Sequence, residues 1–227
     1  MSAERYVILV TKRGVVKKTD LADYTNSRSF NKGIIAINIR EGDELLDALL
    51  TDGRHEIMIA ARKGRCCRFD EEALRSLGRN SSGVRGISID DDDEVIGALS
   101  ANPQDPDYAA RTVLVVSENG YGKRTDPEEY RKTARGAKGV RTINITEKTG
   151  PLVAIKSVTE DNDLMIINKS GLTIRMSVSE IRVAGRATQG VRLINIREGD
   201  AIAAVCPVPK EEEQEAAPES EDTTENN

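Results

Sequence analysis

The side chains best placed to do chemistry in this sequence are arginines and lysines that recur at fixed distances from glycines. Arg79, Arg135 and Arg186 each precede a glycine (Gly83, Gly139 and Gly190) by four residues, and Arg85, Arg141 and Arg192 each follow it by two. In the corresponding first loop, SRSFNKG, Arg28 sits one position out of that register before Gly33. Lys32 and Lys138 directly precede Gly33 and Gly139, and Arg131 and Lys132 add charge to the third loop. The loops also carry Ser, Thr, Asn and Gly, whose hydroxyls, amides and bare backbone N–H groups suit phosphate oxygens. A single basic loop is a solvated loop. Basic loops at matching places on stacked units form a stripe of cations that can follow a nucleic-acid backbone.

The groups that catalysis needs do not converge. His55, the single histidine, stands in the turn TDGRH and reads as a surface turn residue, not a base. Cys66 and Cys67 are adjacent in RCCRF, where neighbouring strand side chains face opposite ways, so one is expected in the core and the other exposed. With Cys206 they make neither a disulfide framework nor a metal knuckle, which fits a reducing compartment. The run Asp90–Asp93 resembles a metal loop only in composition; other repeats read REGD or TEKTG there, so a solvated turn is expected. There is no GxxxxGK[ST] loop, and no cofactor or metal is expected in this chain. Two Phe and five Tyr form no stacking platform, and no recognition helix is visible. Duplex DNA gripped through its phosphates, without sequence preference, is therefore the expected ligand.

A fourfold repeat must position these bases. A first glycine marks a tight turn in KRG (Gly14), RKG (Gly64), ENG (Gly120) and KSG (Gly171), and the second follows at Gly33, Gly83, Gly139 and Gly190, 19 residues later in every case. A base lies four residues after each first glycine (Lys18, Arg68, Arg124, Arg175), and an isoleucine six after each second (Ile39, Ile89, Ile145, Ile196). Each unit opens with a β-rich run (YVILVT, EIMIAA, TVLVVS, DLMIIN). A glycine turn and a short second strand follow, then a polar stretch that reads as one helical turn or irregular chain. After the second glycine comes an alternating run (IIAINI, VRGISI, VRTINI, VRLINI), and a last strand closes the unit. Four strands per unit predict an all-β protein of four consecutive propeller-like blades, at about residues 5–53, 54–102, 110–160 and 161–208, within one domain spanning 1–209.

The net charge of −5 is unevenly spread. The segment from Lys210 onward holds eight acids and one base; without it, 32 bases stand against 30 acids. Residues 210–227 are expected to be a disordered acidic tail. No apolar run of 18 residues occurs and no signal peptide is read at the start, so a cytoplasmic location without membrane contact is expected.

These repeats resemble the C-terminal domain of bacterial DNA gyrase A, over about residues 6 to 207. The matching segments are GVVKKTDLADY, SSGVRGISI, ENGYGKRTDPEEY, AKGVRTINI with the following TEKTG, and VSEIRVAGRATQGVRLINI. Gly120–Thr125 and Thr188–Val191 favour gyrase over its decatenating paralogue, topoisomerase IV. The resemblance implies a β-pinwheel in which neighbouring blades exchange a strand, as an open arc or part of a six-bladed disc. It implies duplex DNA bent around a positively charged rim, here Arg28, Lys32, Arg79, Arg85, Arg131, Lys132, Arg135, Lys138, Arg141, Arg186 and Arg192. It also implies a role in negative supercoiling by a holoenzyme on the bacterial chromosome. The implied partners are the N-terminal breakage-reunion region of gyrase A, and gyrase B, with ATP and Mg2+ used elsewhere in that assembly.

Two departures stand out. The family pattern usually has six blades and this chain has four, most like the last four. The Gln-Arg-Arg-Gly-Gly-Lys-Gly box of the first gyrase blade is absent, with only a distant echo at Ser27–Gly33. The family's cleavage tyrosine lies in another domain, so the chain is expected to be an accessory module and not an enzyme by itself. It should bind DNA without stable full wrapping. The competing readings are a protein-interaction scaffold and the equivalent domain of topoisomerase IV.

Overall fold

The structure is a computed structural model that describes residues 4–25 and 33–210. Arg28, Lys32 and the acidic segment from residue 211 lie outside the described residues.

The β-rich runs and glycine turns form hairpins. The first pairs β1 (Tyr6–Thr11) with β2 (Val15–Asp20), and its repeat closes with β3 (Leu45–Thr51). The second repeat has β4 (Glu56–Ala61), β5 (Arg65–Asp70), the two-residue β6 (Val84–Arg85) and β7 (Val95–Ala101). The third has β8 (Thr112–Ser117), β9 (Tyr121–Thr125), β10 (Val140–Arg141) and β11 (Leu152–Val158). The fourth has β12 (Asn162–Asn168), β13 (Thr173–Ser177), β14 (Val191–Arg192) and β15 (Ile202–Pro209). Gly14, Gly64, Gly120 and Gly171 turn the hairpins at φ +83°, +83°, +84° and +87°, a region that only glycine enters without strain.

The sheets run β3-β1-β2-β6, β7-β4-β5-β10, β11-β8-β9-β14 and β15-β12-β13. The outermost strand of each of the first three blades belongs to the following repeat. The closing strands β3, β7, β11 and β15 contact one another in succession, so the donated strands lie on the far, outer side of each blade. The fold is thus an all-β, propeller-like array of four blades, as expected.

Three cores lie between neighbouring blades. Ile8 and Val10 of the first blade pack with Ile57, Ile59, Cys67 and Phe69 of the second. Met58, Ala60 and Cys66 of the second pack with Val113, Val115 and Ile155 of the third. Leu114 and Val116 of the third pack with Leu164, Ile166 and Val205 of the fourth. Alternate residues of one strand thus enter different cores, which explains the continuous apolar runs YVILVT and TVLVVS. Each fully buried aliphatic side chain contributes roughly 1.5–3 kcal/mol.

The structure corrects several expectations. Among the described residues the fourth sheet has three strands, without the donated outer strand that the first three blades have. The alternating run after the second glycine pairs over only two residues before it leaves the ladder, and in the first repeat residues 33–40 form no strand. Cys66 and Cys67 are both buried, because both faces of a middle blade are covered. Burial pushes both thiols up from their ordinary pKa. Asp93 is buried, not solvated; its Oδ1 accepts from Lys63 N and Glu94 N and pins the hairpin turn, as Asp43 does for Arg13 N and Asp200 for Ser170 N. His55 is half-buried, with Nε2 3.5 Å from Asp52 Oδ1. The polar stretches form a helical turn at Ala22–Thr25 and 3-10 turns at Glu71–Ala73, Pro127–Glu129 and Val178–Glu180.

Candidate nucleic-acid interface

Three identical junctions organise the bases. At each, a donated Val-Arg pair lies along the start of the preceding blade's second strand: Val84–Arg85 on Val16–Val15, Val140–Arg141 on Cys66–Arg65, and Val191–Arg192 on Gly122–Tyr121. The same edge is extended by parallel bridges Lys18–Ser76, Arg68–Lys132 and Arg124–Val183. Backbone N–H groups of Gly86, Thr142 and Leu193 donate to Gly14, Gly64 and Gly120 at 2.8 Å each.

On this frame the arginines fall into three registers. Arg75, Arg79 and Arg85 serve the first junction, Arg131, Arg135 and Arg141 the second, and Arg182, Arg186 and Arg192 the third, always spaced by four and then six residues. Arg75 and Arg182 escaped the sequence reading. Their signal was an offset of 11 from the first glycine, matching Arg131.

The middle register clamps. Arg79 Nη1 donates to Ile35 O at 3.1 Å, Arg135 Nη1 to Arg85 O at 3.2 Å, and Arg186 Nη1 to Arg141 O at 2.8 Å. Arg135 Nε also reaches Ala73 O at 3.3 Å, and Arg186 Nε reaches Glu129 O at 3.0 Å. These bonds tie each loop to the preceding repeat: to Ile35 in the first, and to the donated strand and the 3-10 turn in the next two. They leave Nη2 of Arg79, Arg135 and Arg186 without a hydrogen bond among the described residues.

The outer registers point to solvent. Arg75, Arg85, Arg131, Arg141 and Arg182 are exposed, as is Lys138, and among the described residues their charged groups have no hydrogen bond or ion pair. Arg75 and Arg135 line one shallow hollow with Val16 and Val84, which brings two registers from successive repeats together. Arg192 is exposed but occupied. Its Nη2 donates to Tyr121 Oη at 2.9 Å, and its guanidinium lies 5.4 Å from that ring. The same hydrogen bond holds the Tyr121 phenol below its ordinary pKa.

Lys132 belongs to a different network. Its Nζ lies 2.8 Å from Asp70 and 2.6 Å from Glu56, which raise its pKa. Glu56 also accepts from buried Arg68, at 3.0 Å from Nε and 2.7 Å from Nη2, and from Tyr108 Oη at 2.8 Å. The register Lys18, Arg68 and Arg124 is buried at the junctions. Lys18 pairs with Glu71 at 2.9 Å, Arg68 donates to Pro127 O and Tyr130 O, and Arg124 to Ile181 O.

Buried lysines hold two of the loops. Lys17 Nζ donates to Ala36 O and Arg79 O. Lys123 Nζ donates to Gly185 O (2.5 Å), Thr188 O (3.0 Å) and Thr188 Oγ1 (3.1 Å). Burial lowers the Lys123 ammonium to about 8. The arrangement therefore has an inner layer of satisfied cations and an outer layer of guanidinium groups, Arg85 and Arg141 on the donated strands and Arg75, Arg131 and Arg182 ahead of them, that are without partners among the described residues. Charge-assisted hydrogen bonds to oxyanions suit that outer layer.

The family model described as DNA gyrase C-terminal domain, beta-propeller, matches residues 5–52, 55–102, 111–159 and 162–209. The chain is 43% identical over 212 residues to the DNA gyrase A protein of Staphylococcus epidermidis (strain ATCC 12228 / FDA PCI 1200), covering 93% of this chain and 23% of that protein. It is 43% identical over 228 residues to the DNA gyrase A protein of Staphylococcus aureus (strain MRSA252), covering 99% of this chain and 25% of that protein. The chain thus spans about a quarter of the length of these curated relatives. Two solved structures share its fold. The C-terminal domain of DNA topoisomerase IV superposes with a TM-score of 0.83 at 22% identity, covering 90% of this chain and 62% of that one. The DNA gyrase A C-terminal domain superposes at 0.78 and 24% identity, covering 91% and 66%.

Proposed function

The chain belongs to the DNA gyrase C-terminal domain family, and on that premise we propose that it grips duplex DNA by its phosphates along the outer rim of the blades. The observation that carries this reading is the free guanidinium pair repeated at two junctions, Arg75 with Arg85 and Arg131 with Arg141, joined at the third by Arg182. Lys138 adds to the same band, and Arg79, Arg135 and Arg186 keep donors available beside it. None of these groups is held by an acidic partner among the described residues, so none must break an ion pair to meet a phosphate. Clamping through backbone carbonyls fixes the loops in advance, which lowers the ordering cost of binding. In the intact assembly the bent duplex serves negative supercoiling, with the remainder of gyrase A and its partner gyrase B supplying strand passage and ATP use in the bacterial cytoplasm, on the chromosome. With four blades the isolated chain binds without closing a full wrap, since bending a 20–30 bp site costs on the order of 1–6 kcal/mol.

The test is duplex affinity across a salt series for the chain and for Arg85→Ala/Arg141→Ala. Each lost phosphate contact lowers the salt slope by about 0.9 unit, so the double variant should lose roughly two units at most, equally for unrelated sequences. An unchanged slope, or a loss confined to one sequence, would refute phosphate contact by these residues.

A further inference from the structure

The turn TEKTG, residues 146–150, has no part in the band of arginines, yet it brings a lysine to the junction where the donated arginine's side chain is held. Lys148 stands three residues after its repeat's isoleucine, where the other repeats carry Gly42, Asp92 and Gly199. The turn is locked. Thr146 N–H donates to Thr149 Oγ1 at 2.9 Å and Thr149 N–H to Thr146 Oγ1 at 3.3 Å, while Asn119 Nδ2 donates to the carbonyls of Glu147 and Lys148 at 3.1 and 3.3 Å. Lys148 is exposed, and its ammonium lies 5.5 Å from the centre of the Tyr121 ring.

Tyr121 is peculiar to this junction. It faces Arg192 across the donated strand, where Val15 faces Arg85 and Arg65 faces Arg141. Neither valine nor arginine offers a side-chain oxygen to a guanidinium, and Arg85 and Arg141 stay unheld. Tyr121 Oη accepts from Arg192 Nε at 3.3 Å and Nη2 at 2.9 Å, and Nη1 donates to Asn195 Oδ1 at 3.2 Å, which fixes the guanidinium and leaves further N–H groups unused. The phenol's own proton has no acceptor among the described residues. Hydrogen bonding from Arg192, with the charges of Arg192 and Lys148, already favours negative charge at that oxygen. Arg197 lines the same hollow, and neither it nor Lys148 has an ion pair among the described residues. Glu198 and Asp200 line it too, but Asp200 is engaged by Ser170 and Asn168. At the first junction the corresponding hollow, lined by Val15, Arg40 and Arg85, stays open with further repeats docked beyond it.

We propose that Tyr121, Lys148 and Arg192 form a built site for a single phosphodiester group, a fixed point for the duplex on a rim whose other arginines meet it one at a time. The site presupposes the rim's grip on duplex DNA and adds to it a defined phosphate position at the third junction. The phenol O–H donates to one non-bridging oxygen, and the Lys148 ammonium and an unused Arg192 N–H donate to the other. Tyr121 has oriented Arg192 in advance, and Asn119 and Thr149 have fixed the turn that carries Lys148, so less ordering is needed here than at Arg85 or Arg141. A phosphate at this point gives one reason for three features: a lysine where other repeats have glycine or aspartate, a tyrosine opposite a donated arginine, and a phenol proton left unused.

NMR of the 227-residue chain labelled with 13Cζ-tyrosine tests this, with Tyr121→Phe to assign the signal. A phosphate beside the phenol favours its neutral form, so adding duplex should raise the Tyr121 titration midpoint and leave the other tyrosines in place. Tyr121→Phe and Lys148→Ala should each weaken duplex binding about three- to tenfold at low salt, and Lys148→Ala should lower the salt slope by about 0.9 unit. Inorganic phosphate, at an ionic strength held constant with chloride, should shift the Tyr121 signal saturably in the parent and not in Lys148→Ala. Duplex binding that depends on Arg85 and Arg141 but leaves the Tyr121 midpoint and both variants' affinities unchanged overturns the site and keeps the rim. A chain that binds no duplex while inorganic phosphate still shifts Tyr121 keeps the phosphate site and overturns the reading of the rim. A Tyr121 signal indifferent to both anions, in a chain that binds no duplex, overturns both.

Discussion

Arg186 donates through Nη1 to the carbonyl of Arg141 at 2.8 Å, so one arginine of the band holds in place the strand that presents another. Arg135 stands in the same relation to Arg85, at 3.2 Å. Two arginines of similar sequence surroundings therefore carry different duties, one turned to the protein and one turned to solvent.

The division of labour predicts different losses. Arg186→Ala should cost about 1–2 kcal/mol of stability, from the loss of two hydrogen bonds to the carbonyls of Arg141 and Glu129. Arg141→Ala should stay within about 0.5 kcal/mol while weakening duplex binding. Urea unfolding and a binding titration on both variants separate the two. Equal stability losses would show that Arg141 is also structural.

Lys123 should titrate near pH 8, because burial disfavours its charge. Its ordinary pKa is higher, so between about pH 8 and that value the unfolded chain holds more protons, and Lys123 makes stability rise with pH across the window. Below about 8 both states carry the charge and the cost of burying it is felt in full. The 13Cε shift of Lys123, followed by NMR, gives the midpoint directly. A midpoint at the ordinary lysine value would mean that the site is open to water.

Glu56 should defend the fold against acid. Burial alone would raise its carboxyl, but hydrogen bonds from Lys132, Tyr108 and Arg68 more than offset that and hold it below the ordinary range. A depressed carboxylate contributes stability above its unfolded pKa and loses it as pH falls through the folded value. Glu56→Gln leaves buried Arg68 with only the solvent-exposed Glu128, 2.9 Å from Nη2, as counter-charge and should cost about 3–5 kcal/mol at neutral pH. The variant's stability should also fall less steeply on acidification. A slope matching the parent would remove Glu56 from the acid response.

The acidic segment beyond residue 210 is expected to compete with DNA for the rim. A chain ending at Val208 should bind duplex more tightly than the full chain at low salt, with the gap closing as screening shortens the reach of the tethered charges. Equal affinities at every salt concentration would leave the segment without a part in binding.

The repeat was legible in sequence because its signals are local. Positive φ at Gly14, Gly64, Gly120 and Gly171 demands glycine, and the β-rich runs beside them form hairpins within one repeat. The charge of the rim was legible for the same reason, since Arg79, Arg135 and Arg186, and Arg85, Arg141 and Arg192, keep their offsets from the second glycine. What those arginines do was not legible. A guanidinium that clamps a carbonyl and one that faces solvent have the same side chain, and the carbonyl that separates them belongs to another repeat. The donated strands were hidden similarly: two residues of pairing look like part of a longer alternation, and only the neighbouring blade decides where the ladder stops. Cys66 and Cys67 show the same limit, because period-two alternation assigns them to opposite faces of β5, and only the packing of blades on both sides buries both faces. Local backbone chemistry thus determined the hairpins and the spacing of the bases. The docking of one repeat on the next decided which bases remain free, because burial and hydrogen-bond satisfaction at a junction depend on residues roughly fifty or more positions away.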